Sequence, residues 1–294
     1  MSQAKIYVGT EAIYGMAMGM YGFVLNFFLL SLGLELGQIG LITSTGVVVM
    51  GVCALPLGFV TSWAGRKNMY AGGVLIVGAS IVLYVICPVR FLALPVVCLA
   101  LGMTMVEVSE VQVMYQSCES DMERVNVFSF SFATFALCSA VGTFLAGRIP
   151  QLMGYRGTML IAGCITLVVG LLRWNMLKDD RLSRGTNQMP KAKARAPLRK
   201  VLDRRFCAFL AVIAFHGALN NTIGPFANLI LKYRCGWEDS GISTVLTGTA
   251  VCSFLFSLFT PCLQRGRLYR TGTYAGVYGV LIAVYGAMAL CQRQ

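Results

Sequence analysis

The sequence predicts an all-α integral membrane protein, a bundle of nine membrane-spanning helices. Apolar residues make up 57% of the 294 residues and charged residues 12%, whereas about a quarter of a soluble domain is charged. The charged side chains fall between apolar runs, each close to the roughly 20 residues that a helix needs to cross a bilayer. This pattern excludes a water-soluble globule. It also makes the net charge of +12 a topology signal and not the footprint of a nucleic-acid partner.

Nine apolar runs define the predicted spans in chain order. Six of them follow one another closely and cover about 9–32, 38–61, 69–87, 92–115, 127–146 and 158–177. The remaining three cover about 206–231, 241–262 and 273–290. The first run is too long for a signal peptide and contains Glu11 and Asn26, so we expect it to be an uncleaved span. Residues 147–157 are expected to form a loop.

A basic segment at 178–205 interrupts this pattern. It holds ten Lys or Arg against three Asp, together with Pro190 and Pro197, and such a composition neither spans a bilayer nor packs a core. We therefore expect an N-terminal half of six transmembrane helices at 1–177. A basic cytoplasmic linker at 178–205 would join it to a partial C-terminal half of three helices at 206–294.

The distribution of basic residues predicts the orientation. With Met1 inside, 18 Lys and Arg residues lie in the inner segments and 6 in the outer segments. Inner segments of membrane proteins carry the excess of positive charge. We expect a multi-pass protein of the plasma or inner membrane, in contact with the lipid bilayer, with Met1 cytoplasmic and Gln294 outside.

A short basic turn joins the second and third apolar runs and reads Gly58-Phe-Val-Thr-Ser62-Trp-Ala-Gly65-Arg66-Lys67. Gly58 is expected to let the two helices approach closely, and Gly65 to make the turn. The spacing of Gly58, Gly65, Arg66 and Lys67 resembles the loop-2–3 signature of the major facilitator superfamily of secondary transporters. Ser62 stands where that family usually carries Asp. The resemblance implies that this loop acts as a conformational switch.

An internal repeat supports the same resemblance. Four positions recur at an offset of 201 to 203 residues: Asn26 as Asn228, Gly33 as Gly236, Glu35 as Glu238, and Gly65 as Gly266. Parallel repeats of this kind are typical of transporters built from two halves. The family normally has two halves of six spans each, so the resemblance implies that this chain is truncated after the ninth span.

Polar residues inside the spans predict the solute pathway, because such residues are costly in a bilayer. Span seven is the most informative, since Pro225 is expected to kink it near the midplane beside a group of polar side chains. The predicted substrate-lining residues of this span are His216, Asn220 and Asn221. The resemblance implies that three residues of span one face them, namely Tyr14, Tyr21 and Asn26. The structural alternative is a hydrogen bond between helices for His216 and plain packing for the tyrosines.

Glu107 and Glu110 are the candidate proton-coupling residues. They lie one turn apart on span four and therefore share a face of the helix. Burial together would favour a protonated carboxyl, which suits proton coupling. The alternative is that both side chains reach water or a basic partner near the membrane surface. For Glu11, closer to the end of its span, that surface position is the expected one.

Other classes of site lack the residues that they require. The eleven cysteines are scattered, without a Cys-x-x-Cys or a nearby His, so we expect neither a disulfide framework nor a metal site. There is no phosphate-binding loop, nucleophile elbow or zinc-ligand spacing, so the sequence indicates no catalytic residues, no cofactor and no enzyme. A membrane-embedded enzyme would rest on Glu107, Glu110 and His216 alone.

The predicted function is therefore secondary active transport of a small solute by alternating access. The competing prediction is a truncated, non-transporting membrane protein or scaffold derived from a carrier of this type. The replacement at Ser62 and the expected lack of three final spans favour that alternative. A nine-helix chain could also complete its cavity by self-association.

Overall fold

The computed structural model describes residues 3–116, 118, 121–177, 226–233 and 235–263, and these residues form an all-helical bundle. The helices are α1 (Gln3–Ser31), α2 (Leu36–Ala64), α3 (Arg66–Ile86), α4 (Ala93–Gln116), α5 (Asp121–Ala146), α6 (Pro150–Met176), α7 (Ala227–Tyr233) and α8 (Asp239–Leu263), with a 3-10 turn at Val89–Phe91. The first six are long and apolar enough to cross a membrane. This confirms the predicted all-α membrane fold.

Short connections make consecutive helices run up and down through the bundle. We call the two ends the Gln3 end, where α1, α3 and α5 begin, and the Ser31 end, where α2, α4 and α6 begin. The shortest connection is the single residue Gly65, whose φ of 89° is costly for any residue with a Cβ. The predicted role of Gly58 is wrong, because a Cβ there would meet no atom within 4 Å. The helix α2 packs against α4 instead of lying closely along α3.

The core is organised around α1, which packs against both α5 and α6, while α3 packs against α4 and α6. The contact between α1 and α5 is close enough for the two backbones to touch. A Cβ on Gly19 would overlap the carbonyl of Ser139, and one on Gly142 would overlap the carbonyl of Met16. Small residues at such contacts let transmembrane helices pack backbone to backbone.

The later elements differ in detail from the sequence prediction. The helix α6 begins at Pro150, inside the predicted loop, and its first turn is set off by Gly154 at φ 70°. The last residues of predicted span seven lie in α7, which continues past the predicted end to Tyr233. The linker, the first part of span seven and all of span nine lie outside the described residues.

The predicted repeat is visible in the backbone. Gly33 and Gly236 follow the ends of α1 and α7, and both have positive φ, at 85° and 66°. Glu35 and Glu238 stand just before α2 and α8, and each carbonyl accepts a hydrogen bond at 3.0 Å from the N–H four residues later. The two helix-turn-helix connections are therefore built alike. The predicted domain boundaries themselves stay a prediction.

Candidate functional site

A buried charge cluster lies near the Gln3 end, where α1, α3 and α6 meet. The guanidinium of Arg173 donates to Glu11 Oε2 at 2.5 Å and to Thr10 Oγ1 at 3.2 Å. The hydroxyl of Tyr70 donates to the same Glu11 oxygen at 2.7 Å. Arg173 is wholly buried, and its guanidinium also lies over the rings of Tyr70 and Tyr14, at 4.5 and 4.9 Å from the centroids.

This cluster corrects the expectation that Glu11 reaches the membrane surface. Glu11 is 4% exposed and is paired with a cation inside the bundle. Arg173, which the topology count assigned to an inner segment, belongs to the interior. Its removal from that count leaves a bias of 17 to 6, so the predicted orientation keeps its basis. The sequence contained a signal for this ion pair, because Glu11 and Arg173 lie at similar depths from the same end of the first and sixth predicted spans.

An acidic cavity of about 180 Å³ lies beside the charge cluster, between α1, α4 and α5. Its charged lining residues are Glu11, Glu107 and Glu110, and none of the described residues that line it is Lys, Arg or His. The rest of the wall is aromatic and aliphatic, with one further polar side chain, Ser131. The predicted sharing of a helix face by Glu107 and Glu110 is thus realised, because both carboxylates line one cavity.

Tyr7 connects the acidic cavity to the charge cluster. Its hydroxyl donates to Glu110 Oε1 at 3.0 Å. Its ring stacks on that of Tyr70, with the centroids 5.9 Å apart. Tyr70 in turn binds Glu11, so Glu110 and Arg173 are joined through one continuous polar and aromatic contact network.

The structure separates the three predicted lining residues of α1. Tyr14 lines the acidic cavity, and its hydroxyl lies 3.6 Å from Met103 Sδ. Tyr21 is packed in the hydrophobic core, and Asn26 is 3% exposed in the interior. Neither lines this cavity. The predicted lining residues of span seven, His216, Asn220 and Asn221, lie outside the described residues, so their role stays a prediction.

A second cavity, of about 280 Å³, lies between the first six helices and the α7–α8 pair. Met18 lines both this cavity and the acidic cavity, and Ser139, Thr143 and Asn228 are among its polar lining residues. Asn228 donates to the carbonyl of Phe23 at 3.2 Å, which ties α7 to α1. The two cavities thus follow one another along α1.

An outer polar cluster at the Ser31 end joins the two parts of the described chain, which are the first six helices and the α7–α8 pair. Lys232 Nζ donates to Asp239 Oδ1 at 2.7 Å and to the Tyr155 hydroxyl at 3.1 Å. The Tyr155 hydroxyl donates to Asp239 Oδ2 at 2.6 Å. Tyr155 lies on α6, whereas the ion pair connects α7 and α8. The side chains of Lys232 and Asp239 are 30% and 18% exposed.

The predicted switch loop lies at the Gln3 end. Gly65 is the whole connection, and Arg66 and Lys67 form the first turn of α3. Ser62 lies in the last turn of α2, and its side chain is outside the described part of the structure. The proposed switching role of these residues stays a prediction.

Comparison with known proteins gives a match over nearly the whole chain. The sequence model of the Major Facilitator Superfamily matches residues 8–292, which include all six of the long apolar helices except the first turns of α1. No curated protein matches the chain.

Proposed function

The chain belongs to the Major Facilitator Superfamily and is a multi-pass membrane transporter of that type, and we propose that it moves a small solute across the bilayer by alternating access. The observation that carries this proposal is the acidic cavity inside the six apolar helices. Ionisable side chains are rare in membrane spans, where they mark substrate and ion pathways. Here they are turned toward a shared space between helices.

The charge cluster and the acidic cavity have separate roles in this proposal. Glu11 is neutralised by Arg173 and enclosed by Tyr70, so it holds α1 and α6 together. Glu107 and Glu110 line the cavity, and among the described residues the Tyr7 hydroxyl donates a hydrogen bond to Glu110. We assign solute contact and proton coupling to Glu107 and Glu110.

Alternating access requires a contact between the two parts of the chain that can open. The outer polar cluster suits this role, because it crosses from α6 to the α7–α8 pair and is partly exposed. An ion pair in that position contributes little net free energy, of order 1 kcal/mol or less. Opening this contact at the Ser31 end therefore costs little free energy.

Single-cysteine labelling tests the proposal without knowledge of the solute. In a cysteine-free background reconstituted in liposomes, Thr143→Cys places a thiol in the cavity between the two parts. A membrane-impermeant maleimide should label it from either side of the membrane. Bridging Tyr155→His to Asp239→His with Zn²⁺, which leaves Thr143→Cys as the one cysteine, should abolish labelling from the Ser31 side only. The matched control is Thr249→Cys on α8, an exposed residue that does not line the cavity.

One result would contradict the transport proposal, and another would contradict the role of the outer polar cluster. Labelling of Thr143→Cys from one side only, unchanged by bridging, would show a single fixed state. That outcome favours the non-transporting scaffold. Labelling from both sides that persists after bridging would move the opening contact away from the outer polar cluster.

A further inference from the structure

Ser131 has an unusual hydrogen-bonding position for a buried residue of this bundle. It is 3% exposed on α5, lines the acidic cavity, and its Oγ has no hydrogen-bond partner among the described residues. A buried hydroxyl without a partner has lost its hydrogen bonds to water and gained none in return, which is unfavourable. Such groups are rare in native structures, and a bound ligand is one way in which they are satisfied.

The other buried serines and threonines that the structure describes show how easily this cost is avoided. Each of them donates to a backbone carbonyl three or four residues earlier on its own helix, namely Thr10, Thr61, Ser80, Thr104, Ser109, Thr158, Thr166 and Ser243. This local bond is open to any helical serine. Ser131 makes no such bond to its own helix, and it lines the cavity.

The walls of the cavity indicate the charge of a ligand that would fit there. Its ionisable lining groups are the carboxyls of Glu11, Glu107 and Glu110, which are negative when deprotonated, and the Arg173 cation is already paired with Glu11 and is not part of the lining. In the described part of the chain no three His, Cys, Asp or Glu side chains are grouped as metal ligands. The wall therefore favours an organic cation over both an anion and a metal ion.

The size and the apolar part of the wall define the rest of the ligand. Tyr14, Phe132 and Phe135 contribute aromatic rings, and Met18 and Met103 contribute thioethers. Cations are attracted to ring faces, and thioethers pack well against aromatic groups. The volume of about 180 Å³ compares with the roughly 150 Å³ at which an apolar cavity takes up benzene. One ring with a short arm fits.

We propose that the acidic cavity binds a small organic ammonium ion, with its N–H groups donating to Ser131 Oγ and to the carboxylates of Glu107 and Glu110. The apolar part of the ligand lies among Tyr14 and the neighbouring phenylalanines. This inference rests on the proposed transport function, since it names the chemical class of the solute. Its test measures binding and not transport.

Calorimetry on the full chain in lipid nanodiscs, with empty nanodiscs subtracted, compares three ligands of one shape at pH 7. Benzylamine carries the ammonium, benzyl alcohol is its neutral counterpart, and benzoate is the anion. Benzylamine should bind at least about tenfold more tightly than benzyl alcohol, because hydrogen bonds between charged groups are stronger than those between neutral groups. Benzoate should show no binding. Equal binding of amine and alcohol, tighter binding of benzoate, or binding of none of the three would overturn the proposal.

Variants assign the effect to the named residues. Ser131→Ala and Glu110→Gln should each weaken benzylamine at least about tenfold and leave benzyl alcohol nearly unchanged. Ser131→Thr keeps the hydroxyl and should retain most of the affinity. Ser129→Ala, two residues away on α5 and outside the cavity, is the matched control. Wild-type affinity in Ser131→Ala would overturn the role of the hydroxyl.

The outcome is separable from that of the transport proposal. If Thr143→Cys is labelled from both sides but benzylamine does not bind, alternating access stands and the solute class is wrong. If benzylamine binds but the labelling is fixed to one side, the cavity is a binding site in a protein that does not transport.

Discussion

Among the residues that the structure describes, the buried Glu11–Arg173 ion pair and the partly exposed Lys232–Asp239 ion pair each tie helices together, and the two differ in nearly every physical respect. Glu11 and Arg173 join α1 to α6 inside the first six helices, with side chains 6% and 0% exposed. Lys232 and Asp239 join α7 to α8 at the Ser31 end and reach Tyr155 on α6, with side chains 30% and 18% exposed. The first pair is enclosed by helices on several sides, and the second lies at a boundary.

The difference in burial decides what each pair does. A buried pair contributes little net stability beyond a well-packed apolar pair, yet removing one partner leaves an isolated charge at high cost. A partly exposed pair is solvated when it opens and costs about 1 kcal/mol or less. The first arrangement suits a contact that stays closed, and the second suits one that opens and closes in every cycle.

The largest expected effect is the loss of one partner of the buried pair. Arg173→Met should lower the free energy of unfolding by about 3–5 kcal/mol, because Glu11 is left charged and enclosed. Denaturant unfolding of the purified protein in lipid nanodiscs measures this loss. The double variant Glu11→Gln with Arg173→Met should recover much of it, since neither charge remains. A double variant that is as unstable as Arg173→Met alone would contradict this account.

A somewhat smaller effect is expected at the contact between α1 and α5. Gly19→Ala should destabilise the protein by about 1–3 kcal/mol, because the new methyl group overlaps the carbonyl of Ser139 and the two backbones must separate. Gly22→Ala, three residues along the same helix, meets open space and should be neutral or slightly stabilising. The same unfolding measurement compares the two variants. Equal free energies of unfolding in the two variants would mean that α1 and α5 separate at this contact without a loss of stability.

The outer pair should show the opposite balance between stability and access. Lys232→Ala should change the free energy of unfolding by no more than about 1 kcal/mol. In the single-cysteine assay, however, it should speed labelling of Thr143→Cys from the Ser31 side, since a contact that closes that side is lost. Unchanged labelling in this variant and in Asp239→Asn would show that the pair does not control access.

The smallest effect on stability is expected at the acids of the cavity. Glu107→Gln and Glu110→Gln are nearly isosteric and remove charges that face a cavity, so unfolding should change by less than about 1 kcal/mol. If either acid carries the coupled proton, its variant should lose pH-driven uptake while solute binding remains measurable. Uptake of labelled benzylamine into liposomes under an imposed pH gradient, after subtraction of uptake into protein-free liposomes, measures this. Unchanged pH dependence in both variants and in the double variant would return the pair to a structural role.

The helices were predictable from sequence because span length and apolar composition are local properties. The shared face of Glu107 and Glu110 was predictable for the same reason, since a spacing of three fixes it. The pairing of Glu11 with Arg173 was not. It depends on how α1 and α6 are rotated about their axes, which is set by packing between segments far apart in the chain.

Two further misses have the same origin. Gly58 has the sequence context of a close contact, but α2 packs against α4, so open space lies above that residue. Ser131 looks like any helical serine, and only its missing local bond sets it apart. Predicted features that fall outside the described residues, His216 among them, stay predictions, as do the cytoplasmic N-terminus and self-association.

The single-residue connection at Gly65 has a consequence for helical phase. With no slack between α2 and α3, each residue of α3 keeps a fixed angular position relative to the end of α2. One residue inserted after Gly65 would turn α3 by about 100° and shift it by about 1.5 Å, unless the extra residue bulges out. Such a turn would carry Tyr70 away from the Glu11 carboxylate, although every amino acid of the charge cluster would still be present. The length of this connection is therefore as much a part of the cluster as the side chains that form it.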